Sequence, residues 1–478
     1  MKQAFRVLLA ALLAATFAIA LPQTLPDLGD VAQADVTPRD ERRIGESIMR
    51  EIRADPAYLD DPEATDYLNS LGYRLVAASA DSRQTFEFFL IREATINAFA
   101  LPGGFIGVHT GLFLASQSES ELAAVVGHEV GHVVQRHIAR QIARQKDNAV
   151  LTMAAIALAV LAARSSPDLA SAAIVGAQAG AIQSQLNFTR DNEREADRVG
   201  IQILEGAGYD PQAMPAFFER LQKATRIVDT GAAPAYLRTH PMSYERMADM
   251  QGRADQLKYR QVPDSLEFLL VRAKLRVLTD SPREALEFFE ESLKARKFLN
   301  ETATRYGLTV ALYAGKQYPR AQKELAQLVK IAPPHPMITT LSGRLALAVG
   351  DAEGALAIYR DGLARYPNNR AMIYEYVDAL LRVGRAGEAL KVIEARQRTN
   401  DEYQMSFALA KAYAQLNRIS LSHQALAEGY LRRGNPRAAI EQLTIAVKAG
   451  DASFQELSIM EARLRELRRL EDQTKKER

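Results

Sequence analysis

An alanine followed four residues later by an aromatic or aliphatic residue recurs through the second half of this 478-residue chain, as Ala285/Phe289, Ala321/Leu325, Ala355/Tyr359, Ala389/Ile393 and Ala439/Leu443. Successive alanines lie 36, 34, 34 and 50 residues apart, and a period near 34 is that of stacked helix pairs. Pro333 and Pro367 fall where the second helix of such a pair ends, and Gly343 fits the close-packing position of the first. The last gap is longer by 16 residues, which predicts an extra helix near 403–418. Residues 265–460 therefore read as an all-α solenoid whose concave face suits peptides or proteins. The charged tail, 461–478, reads as a solvated helix that frays.

Composition narrows the rest. A formal net charge of +2 gives no hint of nucleic acid, and with no cysteine the chain has neither disulfides nor cysteine-bound metal nor a lipid-bearing N-terminal cysteine. Lys2 and Arg6 precede an apolar run from Val7 to Leu21, and Ala32-Gln33-Ala34 offers a small-residue cleavage site, with Ala18-Ile19-Ala20 as an alternative. About 15 apolar residues are short for a membrane span, so residues 1–34 read as a cleaved secretion signal, and the periplasm of a Gram-negative cell is the expected destination.

Residues 35–260 are expected to form an α+β unit, mainly helical with a small sheet. Two helices over 38–80 are punctuated by Asp55-Pro56 and Asp61-Pro62, and strands follow at 85–91, 94–100 and 105–109 around the turn Leu101-Pro102-Gly103-Gly104. His109 in this hairpin is expected to be structural. Then comes Val126-Gly127-His128-Glu129-Val130-Gly131-His132. Ser118 with Glu121 marks a helix start, and residues four apart share a helix face, so His128 and His132 offer two imidazole nitrogens to one metal ion with Glu129 beside them. Catalytic zinc takes three protein ligands and leaves one position for water. His137 is out of register for the third, on a helix expected to run through Ile142, and reads as a solvated surface histidine. A second helix supplies carboxylates instead: Glu193 and Asp197 lie four apart on one face, with Ala196 and Gly200 allowing close packing, while Glu195 is expected to be merely solvated.

His128-Glu129-Val130-Gly131-His132, Glu193-x-x-x-Asp197 and the later Thr239-His240-Pro241 together resemble the gluzincin metallopeptidases of the HtpX and CAAX-prenyl-protease superfamily. With a secretion signal and tetratricopeptide repeats behind them, they resemble its periplasmic members. The resemblance implies one Zn2+ per chain, held by His128, His132 and Glu193, with Glu129 as the catalytic base and Asp197 orienting a ligand histidine. It assigns a substrate-pairing role to the edge strand Asn97, Ala98, Phe99 and Ala100, which otherwise reads as a hairpin covering the core. It places His240 near the zinc, as an oxyanion donor or a latch on the open position; a helix-capping neighbour is the plainer reading. Arg246 is expected to brace that loop through an ion pair. Polypeptide clients, among them outer-membrane beta-barrel proteins and their assembly machinery, follow from the same resemblance.

The apolar stretch 149–182 is broken by Ser165-Ser166-Pro167 into halves too short to span a bilayer. It reads as a helical hairpin on the active-site unit, or as a lid making peripheral membrane contact. Two rival functions stay open at this stage: an assembly chaperone or scaffold with a latched or structural metal site, and a zinc hydrolase of non-peptide substrates.

Overall fold

The computed structural model describes residues 36–80, 84–144, 190–227, 234–397 and 402–476. The expected secretion signal and the apolar stretch 149–182 lie outside them. Helix α1, Pro38–Ala54, begins at Thr37, whose hydroxyl and the Asp40 carboxylate cap each other's backbone, with Pro38 preset for the first turn. A short strand β1, Tyr58–Leu59, separates it from α2, Pro62–Ala77, which Asp61 caps. The two Asp-Pro pairs thus stand at the join between the helices.

Strands β2 (Glu87–Ile91), β3 (Ala98–Leu101) and β4 (Phe105–His109) complete a four-stranded sheet in the order β1-β2-β4-β3. β2 and β4 run parallel and are almost wholly buried, as parallel strands covered on both faces must be. β3 returns antiparallel to β4, Ala98 opposite Val108, through a turn where Gly103 and Gly104 take φ of 79° and 83°. It is shorter than the strand predicted over 94–100. Thr95 Oγ1 instead bonds His109 Nδ1, and Glu93 bonds Thr110 at the start of α3, Thr110–Ala115. That packing buries His109 and pushes its imidazole down to about 4, so it stays neutral as a structural residue.

Helix α4, Glu119–Val134, starts at Ser118, and its residues from Glu119 to Val133 are all buried. It stops earlier than predicted. Arg136 takes the left-handed φ of 52°, and a separate helix α5, His137–Arg144, leaves in a new direction. Helices α6 (Arg190–Gly206), α7 (Ala213–Ile227), α8 (Ala235–Thr239) and α9 (Tyr244–Ala254) pack around α4 or on one another.

The solenoid follows as α10 (Leu266–Thr279), α11 (Pro282–Ala295), α12 (Glu301–Ala314), α13 (Tyr318–Ile331), α14 (Pro336–Ala348), α15 (Ala352–Arg365), α16 (Arg370–Arg382) and α17 (Ala386–Gln397). Gly343 does allow the expected close approach, since a Cβ there would lie 2.4 Å from the Tyr359 ring. The long gap in the repeat is filled by α18, Tyr403–Gln415, ahead of α19 (Ile419–Arg432) and α20 (Pro436–Lys448). The tail corrects the sequence reading. Residues 461–476 belong to α21, Phe454–Lys476, which buries Met460, Leu464 and Leu467 against α20 as a capping helix. A terminal repeat needs its apolar face covered, and this helix covers it.

The repeats and the N-terminal unit share one hydrophobic core, continuous from Leu59 through Val126 to Leu345. Charge is buried where they meet. Lys274 of α10, 3% exposed, bonds Asp61 at 2.6 Å and also Glu63, and Arg344 of α14 lies 3.8 Å from Glu63 and 2.7 Å from Glu375. Burial alone would raise the Asp61 carboxyl, yet the Lys274 ammonium holds it below the usual carboxylate range. Lys274→Ala leaves these carboxylates buried without their cation, and is expected to cost about 3–5 kcal/mol in urea-induced unfolding. A loss below about 0.5 kcal/mol, the scale of an ordinary surface change, would contradict this account.

Candidate metal centre

Helices α4 and α6 lie against each other because their facing residues are small. A Cβ on Gly131 would sit 3.0 Å from the Ala196 carbonyl oxygen, and one on Gly200 would sit 3.2 Å from the His128 nitrogen. This brings His128 and His132 of α4 against Glu193 and Asp197 of α6, all at most 1% exposed. The loop after α8 adds His240, 2% exposed.

His128, His132, Glu193 and His240 each turn one ligand atom inward, and these atoms all lie within 4.8 Å of one another. His128 Nε2 is 3.0 Å from His132 Nε2 and 3.6 Å from Glu193 Oε2, and His132 Nε2 is 3.4 Å from Glu193 Oε1. Ligand atoms about 2.0–2.1 Å from one tetrahedral ion stand about 3.3–3.4 Å apart, so the spacing and the donor set both fit zinc. The electrostatics agree. Burial disfavours a charged imidazole, but the Asp197 and Glu193 carboxylates raise His128 to about 10, while burial and the nearby histidines hold His132 well below the ordinary range. Burial would lift Glu193, but His240, His128 and His132 hold it well below the carboxylate range. These groups are arranged to stabilise buried positive charge.

The surrounding contacts orient the cluster. Asp197 Oδ1 lies 3.0 Å from His128 Nδ1, which leaves Nε2 facing inward. Arg246 does more than the expected bracing. Its guanidinium grips both Asp197 oxygens at 2.8 Å, reaches Glu193 Oε2 at 2.8 Å and donates to the Pro241 carbonyl at 2.7 Å. It thereby joins the His240 loop to Glu193 and Asp197 of α6.

Glu129 is fully buried next to the cluster. Its Oε1 is 3.5 Å from His240 Nε2 and 3.4 Å from the Tyr236 hydroxyl, and its Oε2 has no hydrogen-bond partner among the described residues. Of the proposed substrate strand, Ala98, Phe99 and Ala100 lie on β3, at the edge of the sheet and packed against α4. Asn97 just precedes it, buried, its carbonyl accepting from the His109 amide and its Oδ1 without a hydrogen-bond partner among the described residues. The Phe99 ring is taken up by packing on Phe89 and His109.

Two readings of the sequence are overturned here. His137 is not on the surface: it is fully buried, 2.8 Å from His132 Nδ1 and 3.0 Å from Glu195 Oε2, because the left-handed turn at Arg136 swings it back. Burial pushes it down to about 4. Glu195 keeps part of its carboxylate in solvent but accepts from His137 and from Arg140 at 3.1 Å. Sequence reasoning also passed over Tyr236. It is fully buried, stacked between Phe218 and His240 at centroid distances of 5.7 and 4.6 Å. Its place one helical turn before His240 was the available signal.

A buried His-His-Glu cluster between two helices, with a carboxylate alongside and an edge strand packed on the helix that carries both histidines, is the site of a metallopeptidase. Residues 62–254 match the model of peptidase family M48, and residues 346–405 match a tetratricopeptide repeat. A beta-barrel assembly-enhancing protease of Escherichia coli O157:H7 is 33% identical over 455 residues, covering 95% of this chain and 93% of that protein. A putative beta-barrel assembly-enhancing protease of Vibrio cholerae is 38% identical over 314 residues, 65% of this chain and 64% of its own. A mitochondrial metalloendopeptidase OMA1 of Schizosaccharomyces pombe is 30% identical over 223 residues, 45% of this chain and 62% of its own. The chain belongs to peptidase family M48, among the beta-barrel assembly-enhancing proteases.

Arg246→Met strands Glu193 and Asp197 in the interior without their counter-ion. The metal-free protein is expected to lose about 3–5 kcal/mol, read by urea unfolding in the presence of a chelator; unchanged stability would show that the carboxylates do not depend on it.

Proposed function

We propose that the chain is an exported zinc endopeptidase of the periplasm that removes misfolded or stalled polypeptides during outer-membrane beta-barrel assembly, its repeats binding client or partner. Glu129 carries the catalytic part of this reading: a buried carboxylate with a free oxygen beside a metal cluster has no use in a purely structural site. Held by His128, His132 and Glu193, zinc would supply the Lewis acidity that polarises a scissile carbonyl and lowers the pKa of a water towards about 7. Glu129 takes the proton of the attacking water and returns it to the leaving amine. Burial and the neighbouring Glu129 keep the Tyr236 phenol protonated far above its ordinary range, so it is a donor available to a developing oxyanion. The exposed side of β3 pairs with an extended peptide and selects backbone more than sequence.

The wider role rests on other support. The pattern of residues 1–34 favours export, and among the described residues no helix is long and apolar enough to cross a membrane. The names of the bacterial relatives favour barrel assembly. In the solenoid, a cavity of about 620 Å³ between Lys274, Tyr313, Arg344, Tyr374 and Phe407 offers room for a polypeptide segment.

A second reading concerns the resting state. His240 Nδ1 lies 3.0 Å from Glu193 Oε1 and 3.4 Å from His128 Nε2, within the ligand cluster itself. On this reading His240 would take the position that catalysis leaves to water, and would be a latch that has to swing out.

Glu129→Gln is expected to lower casein digestion by about 10²–10⁴-fold while one zinc per chain remains, by plasma mass spectrometry. Loss of the metal together with activity would make Glu129 structural, and full in-cell function without digestion would favour a scaffold. His240→Ala is expected to speed casein digestion several-fold. Slower digestion would assign His240 to the oxyanion instead.

A further inference from the structure

The two histidines of α4 are oriented by different means. His128 meets a carboxylate directly, at Asp197. His132 meets another imidazole, and an imidazole either donates or accepts, so by itself it leaves the proton of His132 undefined. We propose that His137 and Glu195 are a positioning pair for His132, a two-link hydrogen-bond chain that fixes its proton on Nδ1 and keeps Nε2 open for the metal. The inference rests on the reading of His132 as a ligand.

The hydrogen-bond chain runs inward from the surface. The Glu195 carboxylate only accepts, and Arg140, 3.1 Å from the same Oε2, keeps it turned towards His137. His137 Nε2, 3.0 Å from that oxygen, must then be the nitrogen that carries hydrogen and donates. A neutral His137 is left with a lone pair on Nδ1, which faces His132 Nδ1 at 2.8 Å. His132 therefore donates from Nδ1, and its Nε2, 3.0 Å from His128 Nε2 in the centre of the cluster, presents a lone pair. Only the acceptor at the far end makes the sequence of donors unique. Without it, both imidazoles can flip tautomer together and turn a hydrogen of His132 towards the metal.

The fold makes a specific provision for this. On an uninterrupted helix, residues five apart point about 140° away from each other. His137 reaches His132 only because Arg136 adopts a left-handed φ of 52°. Arg136 is held there by donating to the Val36 carbonyl at 2.7 Å and to the Glu41 carboxylate, which fastens the turn to α1 and its approach. The end of α4 is thus built around the contact between the two imidazoles.

The test measures zinc affinity of the purified full chain by competition with a chromophoric chelator, alongside thermal melting of the metal-free forms. His137→Phe, which keeps the ring shape and removes the acceptor, is expected to weaken zinc binding by about 10–100-fold. His137→Asn, whose Oδ1 stands near the place of Nδ1, is expected to stay within about threefold of the parent. In a His132→Ala background, His137→Phe is expected to add nothing. Unchanged affinity in His137→Phe, equal losses in the Phe and Asn variants, or the same loss with and without His132 would each overturn the proposal and leave the ligand reading intact. Unchanged affinity in His132→Ala alone would remove that reading, and the proposal with it. Should His137→Phe not fold, Glu195→Ala at its part-exposed position decides: weaker zinc binding sustains the chain of hydrogen bonds, and parental affinity ends it.

Discussion

The close approach of α4 and α6 governs this molecule. With glycine at 131 and 200, two helix backbones come near enough for His128, His132, Glu193 and Asp197 to meet away from the solvent-exposed surface. Burying that many ionisable groups is costly unless their charges are compensated. Arg246 compensates one side, through Glu193 and Asp197. The inward-facing nitrogens and oxygen are left to a metal ion, so the packing that stabilises the unit also creates its demand for a cation.

The remainder of the chain holds that pair of helices in place. Helix α4 is covered by β3 and β4 on one side and by α2, α6 and α7 elsewhere, which is why its whole length from Glu119 is buried. The first repeat helix, α10, then packs on α2 and α3 within the same core. Farther along, Arg370 of α16 bonds Asp66 at 2.8 Å, and Gln404 of α18 bonds Asp60 at 2.7 Å, so the solenoid curls back onto the N-terminal unit. The repeats therefore touch α2, and α2 packs directly on the helix that bears the site.

Much of this could be read from the sequence because it follows local rules. Helix spacing placed His128 beside His132 and Glu193 beside Asp197, the repeat period located the helix pairs and the added helix at 403–415, and Ser118 marked the start of α4. What escaped was set by a single backbone angle or by contacts distant in sequence. Arginine has no particular preference for the left-handed region, so nothing in Arg136 announces the turn that buries His137. Arg246 stands 49 residues from Asp197, and its two-carboxylate grip depends on where α9 lands on α6. The tail looked solvated because charged residues dominate it; its buried Leu464 and Leu467 continue a helical stripe from Met460, and that stripe is easily lost among them.

The position of α8 has one more consequence. The Tyr236 amide donates to the Ile96 carbonyl at 3.2 Å, just ahead of the edge strand, and four residues later His240 enters the ligand cluster. The same short segment thus touches both the chain just ahead of the strand edge and the ligand cluster. If a peptide pairs with β3 as proposed, a segment tethered so closely would compete with it at an effective concentration on the order of millimolar. On the same reading, a chain that is itself tethered, as one held by the adjoining solenoid would be, would meet that segment on more equal terms than a freely diffusing peptide.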